Sequence, residues 1–248
     1  DTARQVSARS DRKDYLSLVI PELRNPLVGI DAAARVLSRE LGPHPAAQRA
    51  SAIASEARHL LVMLESVADA EAAAAGRLRS KLRPVDLASL VRETVAGMHI
   101  DGHPVTVGGA EAPLLVQADV GRVRQVLSNL LANAAQYSPA GTPIDVTVRA
   151  DPRRGTAGVE VRDRGPGIPA AERRRLFRKF TRLTTADGTR GSGLGLYICR
   201  AIVEDHGGAI RYARADEGSV FTFDLPLKKS RSAATHRPSR VRARTTKR

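Results

Sequence analysis

Apolar residues recur twice in this chain at alternating spacings of four and three, and that repeat limits its fold more than any other feature. The first series runs Leu16, Ile20, Leu23, Leu27, Ile30, Ala34, Leu37. After Leu41-Gly42-Pro43-His44-Pro45, the second runs Ala46, Ala50, Ile53, Ala57, Leu60, Leu64, Val67. Heptad spacing places an apolar stripe along one side of a helix, and Gly-Pro between the series interrupts it. A helical hairpin over residues 10–76 is therefore predicted. One hairpin cannot cover both stripes, so a dimeric four-helix bundle is expected, which makes the chain a homodimer through this segment. Gly76 suits a helix C-cap and Pro84 prevents continuation, so the boundary falls near residue 80.

Beyond Asp86 the pattern alternates between the two periods. Helices are predicted at 87–98, 119–137 and 194–206, and strands at 114–117, 144–150, 156–162, 208–213 and 219–226. The expected class is α+β: a helical hairpin at 1–80, then a two-layer α/β sandwich at 81–227. Residues 228–248 hold nine Lys or Arg and no acid, so much of the net charge of +14 belongs to a tail. The tail has no apolar period and no aromatics for base stacking. It reads as disordered, with no specific nucleic-acid partner, although salt-sensitive DNA retention would revive that reading. The single cysteine, Cys199, excludes an internal disulfide and fits a reducing cytoplasm. No apolar run approaches the ~20 residues of a membrane span, so a soluble, cytoplasmic piece of something longer is expected.

Three stretches carry chemistry. In Arg122–Ser138, Val126, Leu130 and Ala134 share the core side of a helix, while Asn129 and Asn133 share another face. One such Asn is usually a surface residue; two beside an apolar run point into a site, where an amide oxygen is a hard ligand suited to Mg2+. Asp163-Arg164-Gly165-Pro166-Gly167-Ile168 follows a strand directly. A carboxylate there can accept from an adenine amino group while the glycines let backbone approach the base, although a tight turn reads the same. Arg190-Gly191-Ser192-Gly193-Leu194-Gly195-Leu196 is a glycine-rich loop entering a helix, whose exposed amides suit phosphate.

In this order the three stretches resemble the N, G1 and G2 boxes of the sensor histidine kinases, whose ATP domain belongs with those of gyrase, Hsp90 and MutL. Leu176–Phe180 resembles the F box, and residues 206–210 and 218–226 resemble the closing strands. The resemblance covers residues 10–227. It implies that Asn133 coordinates Mg2+, that Asn129 supports phosphate or metal, and that Tyr137 packs near the adenine read by Asp163. Gly165, Gly167, Ile168, Gly191, Gly193, Leu194, Gly195, Leu196 and Thr222 would belong to the ATP pocket. Residues 169–192 would form a lid whose Arg182 and Arg190 meet phosphates. Gln136 stands where a basic residue is usual, which removes one phosphate contact. In the gyrase-like branch a glutamate at the position of Asn129 primes water; an amide cannot act as that base, so the site looks built for phosphoryl transfer.

Residues 15–30 resemble the H box, which reads serine-His-Glu-Leu-Arg-Thr-Pro-Leu. Glu22, Leu23, Arg24, Pro26 and Leu27 match, but Pro21 occupies the phosphoacceptor position. Proline has no nucleophilic nitrogen, and it removes a helix hydrogen bond, so a kink near Ser17–Pro21 is expected. None of the six histidines has the flanking acid and proline. Glu22 and Asn25, three apart on one face, resemble the family's phosphatase motif. The resemblance thus implies an ATP-binding core, degenerate in autophosphorylation, acting on a response regulator or partner kinase. The alternatives are a phosphatase-biased sensor and a non-catalytic nucleotide-dependent module.

Overall fold

The computed structural model describes residues 2–98, 100, 102–181 and 192–228, with side chains from residue 19 onward. Part of the expected lid, with Arg182, Arg190 and Gly191, and nearly all of the basic tail lie outside the described residues.

Helices α1 (Thr2–Glu40) and α2 (Pro45–Ala74) form the hairpin that the heptads predict. His44 begins α2 by accepting the Ala46 N–H at its Nδ1, 3.1 Å away. Ala34, Ala50, Ala54 and Ala57 are buried, so small side chains let the helices approach closely. Polar pairs bridge the helices at Ser38–Ser51 (2.8 Å) and Arg24–Glu65 (2.6 Å). The stripe itself is only partly covered: Leu23, Ile30, Leu37, Ile53 and Leu60 are 39–52% exposed. α1 runs unbroken through Pro21 and Pro26. Both prolines are exposed, so water can take up the carbonyls they leave unpaired.

The second unit comprises β1 (Arg83–Asp86), α3 (Leu87–Ala96), β2 (Val105–Gly109), β3 (Leu115–Ala118), α4 (Val120–Tyr137), β4 (Ile144–Asp151), β5 (Thr156–Arg162), α5 (Ala170–Arg173), α6 (Gly195–Asp205), β6 (Ala209–Arg214) and β7 (Ser219–Pro226). Five strands form one sheet in the order β2-β4-β5-β7-β6, with only β2–β4 parallel; β1 and β3 pair separately. Strand alternation sends Val146, Val148, Val159, Val161, Phe221 and Phe223 to one face. Leu87, Leu127, Leu130, Leu131, Ile198 and Ile202 from α3, α4 and α6 complete the same core. Each fully buried side chain of this size contributes roughly 1.5–3 kcal/mol. β1, β2 and α5 are not among the elements expected from periodicity. All three are short, and β2 ends at Gly109, where a Cβ would stand 2.0 Å from the Val148 carbonyl oxygen.

The hairpin does not end at a free linker. Ala70 and Leu78 join the α/β core. The Ser80 N–H donates to Asp205 (2.8 Å), the Lys81 N–H to Asp119 (2.9 Å), and the Asp119 N–H to His206 Nε2 (3.0 Å). Higher on α2, Asp69 accepts from Arg122 (2.7 Å) and Gln125 (2.6 Å), while Lys179 donates to Glu71 (3.1 Å). Asp69 thus ties α2 to the start of α4, while Ser80 ties the segment after α2 to the end of α6.

Candidate nucleotide site

A cavity of about 230 Å3 opens between α2, α4, the turn after β5 and the start of α6. Its polar anchor is Asp163, which is 4% exposed. One carboxylate oxygen accepts the N–H groups of Gly165 (2.8 Å) and Ser219 (3.0 Å). Burial nevertheless wins over these bonds and over the nearby Arg164 charge, so the carboxyl is pushed above its ordinary value of 3.8. A partner that donates a hydrogen bond to the carboxylate would offset that desolvation.

The glycines are spatial requirements here. A Cβ on Gly165 would lie 2.8 Å from the Tyr137 carbonyl oxygen, and one on Gly193, at φ +67°, would meet the backbone of Phe180 and Thr181 at 2.8–2.9 Å. Side chains at either position would force the α4 end or the F-box segment away from the cavity. Phe180 itself adopts φ 58°, uncommon for a bulky residue.

The structure brings together most of the residues that sequence reasoning singled out. Asn129, Asn133, Gln136, Tyr137, Asp163, Gly165, Gly167, Ile168, Gly193, Gly195 and Leu196 all line the one cavity. Two expected members are not on its wall. Leu194, 1% exposed, precedes α6 and packs into the core beneath the site. Thr222 points to the opposite face of the sheet, because Phe221 and Phe223 on either side of it face the helices; its register partners are Glu160 and Arg211. Pro21, Glu22 and Asn25 are exposed on α1, away from the cavity lining.

Several wall residues were not anticipated. Ser219 and Phe221 belong to β7, and period-two alternation from Phe223 would have found them. His59, Val62, Met63 and Ser66 of α2 also line the cavity. Their i, i+3, i+4, i+7 spacing marks one helix face, but the sequence does not say what that face meets. Asn129 lies against the buried Cys199, whose thiol burial pushes up to about 12, so that cysteine is inert packing.

The donor set fits a metal held mainly by its ligand. Among the described residues no group of three or more His, Cys, Asp or Glu could cage an ion. Asn133 and Asn129 offer amide oxygens, to which phosphates and water would add the rest.

Residues 118–229 match the family described as histidine kinase-, DNA gyrase B-, and HSP90-like ATPase. The chain is 31% identical over 232 residues to the probable sensor histidine kinase TcrY of Mycobacterium tuberculosis, covering 91% of this chain and 48% of that protein. It is 34% identical over 219 residues to the adaptive-response sensory kinase SasA of a Synechococcus species, covering 86% and 56%. The chain thus spans about half the length of these curated relatives. Among solved structures, full-length ShkA in complex with AMPPNP superposes with a TM-score of 0.70 at 28% identity, over 86% of this chain and 46% of that one. The mycobacterial sensor histidine kinase MprB gives 0.54 at 32% identity, over 59% and 99%.

Proposed function

Because the chain belongs to the sensor histidine kinases and carries their ATP-binding catalytic domain, we propose that it is a homodimeric signalling core that binds Mg-ATP and communicates with a response regulator or partner kinase, without phosphorylation at position 21. The observation that carries this reading is the convergence of Asn129–Tyr137, Asp163–Ile168 and Ser192–Leu196 on one cavity. In it, Asp163 accepts from the adenine amino group, Gly165 and Gly167 bring backbone against the base, and the amides ahead of α6 receive phosphate. Asn133, seconded by Asn129, would hold Mg2+; the metal's contribution is to neutralise phosphate charge. The AMPPNP complex of ShkA supports the nucleotide assignment.

The reading of position 21 rests on chemistry: proline offers no lone pair to attack phosphorus. The exposed Leu23, Ile30, Leu37, Ile53 and Leu60 support dimerisation through residues 10–76. A second reading, phosphatase bias, is favoured by Glu22 and Asn25, both exposed on α1 where a partner's phospho-aspartate has access. The deciding experiment is incubation with γ-labelled ATP, alone and with a candidate regulator carrying a phospho-aspartate. Label on residues 15–30 would defeat the degenerate reading; faster loss of phosphate from the regulator would favour the phosphatase.

A further inference from the structure

We propose that His59 of α2 accepts the γ-phosphoryl group in this chain; the inference rests on the ATP reading of the cavity. Of the histidines among the described residues, His44 is spent as the N-cap of α2, and His103 is engaged with the Thr142 carbonyl at 3.0 Å. His206 is 5% exposed with both ring nitrogens engaged, by Ile202 O and by the Asp119 N–H. His59 differs on each count. It is exposed, no hydrogen bond to it occurs among the described residues, and it alone of these histidines lines the cavity that holds Asn133.

Asp69 of α2 is held by Arg122 and Gln125 of α4, and the two helices contribute His59 and Asn133 respectively to the lining of one cavity. Val62, Met63 and Ser66 line it too, so α2 forms one side of the site. With α2 docked, His59 and Asn133 share one cavity, and proximity of that kind is the first requirement of a transfer.

The step balances with ATP as the only co-substrate. The lone pair of one imidazole nitrogen attacks the γ-phosphorus and an N–P bond forms. The bond from that phosphorus to the β,γ-bridging oxygen breaks, and ADP leaves with the electron pair. The proton on the other ring nitrogen passes to solvent, to which His59 is open.

The test is incubation of the full chain with γ-labelled ATP, followed by mapping of acid-labile, base-stable label. The expected result is label on His59 and its loss in His59→Gln at an ATP concentration that saturates the variant, as fixed by its own titration with a non-hydrolysable ATP analogue. Because His59 is exposed, the substitution leaves the fold intact. Analogue binding without acid-labile label, or label that persists in His59→Gln, overturns the assignment. Failure of the wild-type chain to bind the analogue at all overturns the ATP reading beneath it, and this inference with it.

Discussion

Asp69, near the end of the hairpin, and Arg122, in the first turn of α4, pair at 2.7 Å with side chains 14% and 28% exposed. Gln125 donates to the same carboxylate oxygen, so one aspartate joins the hairpin to the helix that carries Asn129 and Asn133. Asp69→Ala leaves Arg122 half-buried without its charge partner and is expected to cost about 1.5–3 kcal/mol. Denaturant unfolding measures the loss. Limited proteolysis of residues 77–82 should accelerate in parallel, since the same change loosens α2.

Nucleotide affinity should depend on Asp163 and Asn133 separately. Asp163→Asn keeps the size and removes the charged acceptor, at about 1.5–3 kcal/mol, or tenfold and more in Kd. Asn133→Ala should weaken Mg-ATP more than metal-free ATP. Titration calorimetry on both variants, with unchanged Kd in each, would reject the site assignment.

Acid should reveal the displaced titration of Asp163. Its folded pKa lies above the unfolded 3.8, so the folded chain holds a proton that the unfolded chain has released. Ionised Asp163 therefore costs stability, and that cost appears as pH rises from 3.8 through the raised value. Adenine binding needs the ionised acceptor and grows through the same window. Without nucleotide, the stability of the wild-type chain relative to Asp163→Asn should then fall as pH rises through this window, while its relative analogue affinity grows; a stability difference that does not change with pH would contradict the assignment.

The partly exposed heptad residues predict self-association. Light scattering at micromolar concentration should give twice the chain mass of 26.6 kDa. Ile53→Asp, which places a charge on a stripe residue 52% exposed in the single chain, should shift the protein toward monomer without unfolding it. A wild-type monomer would remove the bundle from the account.

Residues 15–30 of the wild-type chain should acquire no acid-labile phosphate. Pro21→His supplies the missing nucleophile beside Glu22, but position 21 is not on the cavity wall of the docked chain. Label in this segment should thus rise when Asp69→Ala is added to Pro21→His, because loosening α2 frees the catalytic domain to reach α1. Peptide mapping after γ-labelled ATP decides it; label on the wild-type segment would contradict the expectation.

The hairpin was legible because a heptad is a local signal: Leu23, Leu27 and Ile30 declare a helical face by spacing alone, whatever they later touch. The same holds for Asp163-Arg164-Gly165-Pro166-Gly167, where positive φ at Gly167 and the close approach at Gly165 leave glycine as the residue that fits. The parallel pairing of β2 with β4 was not legible, since Val105–Gly109 is too short to declare itself and gains its identity from a strand 39 residues away. Nor was the burial of Leu194, which depends on the core that α6 meets. The largest gap concerns α2. The sequence specified a helix with His59, Val62, Met63 and Ser66 on one face, but which wall that face became depended on Asp69 finding Arg122 across 53 residues of chain. A contact of that separation leaves no periodic trace in either partner's neighbourhood, because it is fixed by the folded core between them.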